Sequence, residues 1–285
     1  MTQMINIYKT AWGLVGEGNR YPSILDFIDS ARDEQYIGVE FPVFYLDADP
    51  AQPEDVKGRI EELDLDFIAL IATRTENWGD YDAHLEDFRS QARSAAALGA
   101  RKAAVHAGAD SFGAERGKAF IETCMAIAFD AGIEPCFETH RARILFNPFV
   151  CAELLARLPE LRLTSDLSHW LLVVDRVPND IMDLFELASA RSGHLHARIG
   201  HEKSPQVTEP ADPAWQEHVE LFRRWWQISV DAAAERGAPL SITPEFGPPP
   251  YMHAEPYTGH PSADLVAANE WMRERLEDWF TEEQK

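Results

Sequence analysis

The sequence predicts one α/β domain, a (β/α)8 TIM barrel spanning residues 1–285. Three observations predict it. Eight short apolar or β-branched segments recur along the chain, and helical patterns fill the intervals between them. The length also suits one such barrel, which typically needs about 250 residues. The rival is an open doubly wound sheet, marked by a G-x-G-x-x-G turn after its first strand. Here that region reads GLVGEGNR, and Gly13, Gly16 and Gly18 are wrongly spaced for that turn. A G-x-x-x-x-G-K-[ST] phosphate loop is absent from the whole chain.

The strands are expected near residues 5–12, 36–43, 66–73, 101–108, 133–140, 161–169, 193–200 and 239–247. Several of these segments are short apolar runs rather than strict alternations, as expected for parallel strands covered on both faces. After the first strand, Pro22 stands near a helix start, where a missing amide hydrogen costs little. The stretch AQPEDVKGRIEELDLD carries the faintest helical pattern. Tyr81, Leu85, Phe88, Ala92 and Ala95 draw an apolar stripe that Gly99 terminates. GAERGKAFIETCMAIAFDAG repeats the device with Phe120, Cys124, Ile127 and Ala128, and Gly132 at its end. Further helices are expected around 148–157, 178–190, 215–236 and 262–280.

Charge narrows the function classes. Lys and Arg number 26 against 48 Asp and Glu, a formal net charge of -22. Such an excess repels phosphate backbones, which argues against a nucleic-acid partner. The three cysteines, Cys124, Cys136 and Cys151, form no C-x-x-C pair and read as reduced thiols. The opening MTQMINIYKTAWG lacks the features of a signal peptide. No apolar run approaches 18 residues. The expectation is a cytoplasmic protein without a membrane partner.

A barrel gathers its chemistry at the carboxyl ends of its strands. Glu40, His106, Glu138, His140, Asp166, His169, His194, His196, Arg198 and Glu245 all fall in or at the ends of the expected strands. Several buried carboxylates must be protonated, paired or coordinated. Glu138, Asp166, His196 and Glu245 come from four successive strand ends and make a mixed oxygen and nitrogen donor set for a divalent ion. Mn²⁺ is the first choice, with Co²⁺, Zn²⁺ or Mg²⁺ as alternatives. His194, His196 and Arg198 alternate along one side of the seventh strand. His196 is nearer the active end, which leaves His194 as a supporting residue. Asp166 and His169 can act together only if the chain bends after the sixth strand.

FETH (137–140), DLSH (166–169), GHLHAR (193–198) and TPEFG (243–247), in this order, resemble the sugar isomerase/epimerase family with a xylose-isomerase-like TIM barrel. The family includes ketose 3-epimerases and inosose enzymes, and the likeness runs over roughly residues 5–275. It implies a metal held by Glu138, Asp166, His196 and Glu245. It further implies Glu138 and Glu245 as proton-transfer groups on opposite sides of a small sugar or sugar acid, with His169 on a substrate hydroxyl. The expected reaction is isomerisation or epimerisation through an enediolate. Family epimerases often continue their H-x-H with a G-E-x-x-R-like string, whereas this chain reads HARIGHEKSPQV, so sugar preference does not carry over. A distant endonuclease branch of the family uses extra histidines and carboxylates, but the acidic balance argues against it.

Two other function classes stay open: a metal-dependent hydrolase or lyase on the same barrel, and a non-catalytic sugar-binding barrel. Around the site, His106, His169, Arg198, Trp12 and Arg141 are expected to touch substrate. Arg198 has two readings, a partner for an anionic substrate group or a structural pair with Glu202 or a nearby Asp. Arg141, with Arg143, reads either as an anion contact or as a loop residue. Trp12 is read as a platform beneath a sugar ring. The loop GPPPYMHAEPYTGHP offers Tyr251, His253 or Tyr257 as further contacts. Trp225 and Trp226, on two faces of one helix, hint at a homodimer or homotetramer.

Overall fold

The computed structural model describes residues 5–281. Eight parallel strands close on themselves in sequence order. They are β1 (Ile5–Thr10), β2 (Gly38–Pro42), β3 (Asp66–Ala72), β4 (Lys102–His106), β5 (Glu134–Glu138), β6 (Arg162–Ser165), β7 (Ser192–Ala197) and β8 (Leu240–Pro244). The barrel closes through β1 against β8, with Ile7 opposite Ile242. The expected (β/α)8 TIM barrel is thus the observed architecture.

Helices wrap the sheet: α1 (Ile24–Asp33), α2 (Pro53–Glu62), α3 (Tyr81–Ala97), α4 (Gly113–Asp130), α5 (Pro148–Arg157), α6 (Leu167–Val174), α7 (Met182–Ala190), α8 (Gln216–Glu235) and α9 (Leu265–Phe280). Local chemistry sets their ends. Ser23 and Asp26 make a reciprocal capping box on α1. Asn147 caps α5, with Pro148 at its first position. The faint pattern after Gln52 does form α2, which starts at Pro53 and buries Val56 and Ile60. Among the described residues, no helix is long and apolar enough to cross a membrane.

Two expectations need correction. The sixth strand was expected to run to His169, but it stops at Ser165, and Leu167 opens α6 instead. Apart from Ser168 and His169 the run LSHWLLVV is apolar and shows no period to separate strand from helix. The side chain of Asp166 accepts from the Ser168 amide and caps α6, which supplies the bend that Asp166 and His169 require. The second concerns Trp225 and Trp226. Both are buried within the chain, Trp225 stacked on Phe185 and Trp226 tilted against Phe222. They present no face to a second copy, so the hint of a homodimer or homotetramer loses its basis.

Candidate metal centre and its cavity

The donor set expected from the sequence converges. Ligand atoms of Glu138, Asp166, His196 and Glu245 all lie within 4.8 Å of one another, and all four residues are buried. Parallel pairing brings them together. Glu138 is the last residue of β5, opposite Thr164, and Asp166 follows two residues after Thr164, just past the end of β6. His196 pairs with Thr243 on β8, two residues before Glu245. Side chains two apart share one face of a strand, so the barrel interior receives all of them.

A buried hydrogen-bonded chain aims His196. Its Nε2 lies 2.8 Å from Glu40 Oε1, and His194 Nε2 lies 3.1 Å from Glu40 Oε2. Thr243 Oγ1 also donates to Glu40. Burial alone would raise the Glu40 carboxyl, but the two imidazoles outweigh it and hold the group well below the usual carboxylate range. An ionised Glu40 only accepts hydrogen bonds, so each Nε2 carries the proton that points at it. That turns His196 Nδ1 toward Glu245 Oε2 at 3.2 Å and Glu138 Oε2 at 3.4 Å. His194 Nδ1 lies 2.9 Å from Ser241 Oγ, to which Lys102 Nζ donates at 3.1 Å. His194 is thus tied to Glu40 on one nitrogen and Ser241 on the other. Glu40 received no role from the sequence. The signal available was a charged residue inside an otherwise apolar strand, which did not show that it would meet two histidines.

The donor chemistry fits a divalent cation. Both carboxylate oxygens of Glu138 and Nδ1 of His196 are buried without a hydrogen-bond partner. Unsatisfied buried groups of that kind are costly unless something coordinates them. Burial, with the Glu245 and Asp166 charges nearby, raises Glu138 to about 8 against the pull of His196. Asp166 is raised by burial as well, and the adjoining Arg198 opposes the shift. Burial disfavours the charged imidazole of His196, yet Glu245, Glu40 and Glu138 together raise it well above its ordinary value. The carboxylates that favour a proton on Nδ1 equally favour a metal ion there.

A cavity of about 280 Å³ opens above the cage. Trp12, His106, His169, Arg198 and Glu245 line it, as do Glu138, His140 and Tyr251. The wall from β2 and β3 is apolar and is made by Phe41, Pro42, Phe44 and Leu70. His106 presses its Nε2 against Glu138 Oε2, and its ring stacks on His140 at 5.0 Å. His140 in turn lies 4.1 Å from the His169 ring. Burial holds the three imidazoles below their ordinary values, His140 at about 3. They are neutral hydrogen-bonding groups near pH 7. Trp12 meets Tyr251 edge-on at 4.8 Å, and Gly247 makes that position possible. A Cβ at residue 247 would lie 2.2 Å from the Trp12 ring. Gln206 pins Gly247 from both sides, accepting from its amide at 2.8 Å and donating to its carbonyl at 3.1 Å.

The remaining expected contacts divide between the cavity and its surroundings. Arg141 does not line the cavity and rests over the outer side of the Tyr251 ring at 4.8 Å. Arg143 is a loop clamp that donates to the Thr73 and Gly108 carbonyls. Arg198 is buried, and its partners are Asp166 and Glu245 rather than Glu202, which pairs with His218. In the loop after β8 Tyr251 reaches the cavity, whereas Tyr257 is fully exposed. Tyr251, like His140, was legible only as a polar residue near a strand end, because long loops leave no periodicity to follow.

Solved structures resemble this chain over almost all of its length. D-psicose 3-epimerase from Clostridium cellulolyticum H10, solved with D-tagatose, superposes with a TM-score of 0.64 at 12% identity, over 97% of this chain and 100% of that one. The chain shares this fold. A 3-keto-D-glucoside 4-epimerase from E. coli gives a TM-score of 0.61 at 11% identity, over 95% of this chain and 99% of that one. A xylose isomerase domain protein from Alicyclobacillus acidocaldarius gives 0.59 at 17% identity, over 97% and 98%. No protein-family model matches the chain, nor does any curated protein. At these identities the likeness establishes the barrel and leaves its chemistry to the site.

Proposed function

We propose that the protein is a divalent-metal-dependent isomerase or epimerase of a small sugar or sugar acid. One observation carries the reading: two buried glutamates from β5 and β8, Glu138 and Glu245, converge on the same imidazole nitrogen at the floor of one cavity. Structures with this fold are named as epimerases of D-psicose and of 3-keto-D-glucoside, which supports the same reaction class.

A bound divalent ion supplies Lewis-acid stabilisation of the charge that develops on a substrate carbonyl oxygen. The chain's own residues do the rest. Glu138, Asp166, Glu245 and His196 Nδ1 hold the ion, and Glu40 keeps His196 turned toward it. One glutamate removes the proton from the carbon beside the carbonyl, which leaves an enediolate. The other glutamate, from the far side, returns a proton and decides the product. Burial raises the proton affinity of Glu138 before an ion binds. His169 is neutral, lies 3.8 Å from Glu138 Oε1, and is placed to bond a substrate hydroxyl. Trp12, Tyr251 and Phe44 give the cavity an aromatic lining. Mn²⁺ suits the three-carboxylate, one-imidazole set.

The test is solvent isotope exchange. Metal-loaded protein in D2O, offered a panel of ketoses, keto-glycosides and keto acids, is expected to deuterate the carbon next to the carbonyl of at least one compound. Glu138→Gln and Glu245→Gln are each expected to lower that rate by at least ~100-fold, the usual lower bound for a lost acid–base group. Bond cleavage without prior exchange would replace this reading with hydrolase or lyase chemistry, and no exchange across the panel would overturn it.

A further inference from the structure

Arg198 stands two residues after His196, just past the end of β7, and is buried with its guanidinium against two of the cage donors. Its Nη2 contacts Asp166 Oδ2, and its Nη1 lies 3.5 Å from Glu245 Oε2. Nη1 also donates to the Glu245 carbonyl at 3.1 Å, and Nε lies 3.4 Å from Ser168 Oγ. Nη2 is 3.2 Å from His169 Nε2. The rings of Trp12 and Tyr251 lie beside the guanidinium, their centroids 5.5 and 4.9 Å from its carbon. One fixed cation thus bridges two of the four metal donors, contributed by different strands. Its hydrogen-bond donors already have protein partners, so it is not poised to capture an anionic group of a substrate.

We propose that Arg198 is a built-in counter-cation that competes with the divalent ion. It holds Asp166 and Glu245 together when no ion is bound, and it weakens the ion's hold when one is. The inference rests on the metal site of the proposed function. Its physical basis is short. Three carboxylates converging in a buried cage repel one another, and a guanidinium relieves that repulsion. The same positive charge repels an incoming divalent ion, and Arg198 must surrender the Asp166 oxygen it contacts before the ion can take it. A metal held this way exchanges readily, and the cage keeps its shape between occupancies. The likeness in GHLHAR did not show this, because the resemblance gave Arg198 no role.

The test is Mn²⁺ affinity by titration calorimetry on the whole chain, with thermal melts in EDTA and in saturating Mn²⁺. Arg198→Gln is expected to bind Mn²⁺ at least tenfold more tightly than the native protein. Its melting temperature in EDTA should fall, so that the gap between the EDTA and Mn²⁺ melts widens. Arg198→Lys, which keeps the charge, should stay within about threefold of the native affinity. Unchanged or weaker Mn²⁺ binding by Arg198→Gln overturns the proposal and makes the residue a positioning group for the ligands. Should Arg198→Gln not fold, crystal structures of the native protein with and without Mn²⁺ decide. The guanidinium is expected to leave Asp166 Oδ2 when the ion binds, and an intact pair beside a bound ion overturns the proposal. Failure of the metal reading looks different: neither the native protein nor the variants would bind Mn²⁺ at all, and both proposals would fall together.

Discussion

Glu40 brings a negative charge to the middle of the barrel, where it holds two imidazoles and touches no other cage carboxylate by hydrogen bond. Glu40→Gln keeps the shape and removes the charge that fixes the tautomer of His196. Groups that orient a ligating histidine this way are typically worth about 10–100-fold in metal affinity. Calorimetry should show a loss of that order for Glu40→Gln, and a change under about threefold would mean that His196 is aimed by packing alone. Glu138 sets the pH behaviour of the same site. Its folded value of about 8 lies above that of an unfolded glutamate, so its contribution to stability is full at low pH and is lost as pH rises through about 8. Metal binding needs the ionised form and releases the proton. Mn²⁺ affinity should therefore climb as pH rises from 6 toward 8, with proton uptake by the buffer measured in the same titrations. A flat profile would place Glu138 outside the ligand set. The four donors were legible in the sequence because a barrel forces strand ends together. The partners of Glu40 and Arg198 were not, since register, not sequence distance, decides which side chains meet across β2, β6, β7 and β8.

At the level of elements, the helices with strong caps and stripes were readable, and α5 falls on residues 148–157 as expected. The sixth unit was half readable. Asp166 had to be both a strand-end carboxylate and the cap of α6, and a mostly apolar run hid the change of period. The segment after β8 was harder still, because prolines remove the helical signal and leave only side-chain chemistry. Its organisation comes from clamps on the backbone of Phe246 and Gly247. Asn269 of α9 accepts from the Phe246 amide at 2.8 Å, and Gln206 holds Gly247. Gly247→Ala puts a methyl group into the Trp12 ring, an overpacking that costs about 1–3 kcal/mol. Trp12 must then leave Tyr251. The expected outcome is a lower melting temperature together with a several-fold rise in KM, and an unchanged KM would show that the Trp12–Tyr251 wall does not touch the substrate.

For the molecule as a whole, the polar barrel interior matters as much as its closure. From Lys102 through Ser241, His194 and Glu40 to His196, hydrogen bonds run along the axis toward the cage, where apolar layers would be the simpler filling. Such a network stabilises the fold only if its end is satisfied, and the end is the set of unpartnered atoms on Glu138 and His196. An ion bound there stabilises the folded chain by mass action, about 4.1 kcal/mol at a concentration of 1,000 times Kd. Melting curves in EDTA and in excess Mn²⁺ should differ by several degrees, and coincident curves would remove the metal from the account. The most direct measurement is anomalous diffraction at the manganese edge from crystals grown with Mn²⁺. A single strong peak about 2.0–2.3 Å from oxygens of Glu138, Asp166 and Glu245 and from Nδ1 of His196 is the predicted result. Saturating Mn²⁺ with no peak there, or a peak held by other side chains, would contradict it.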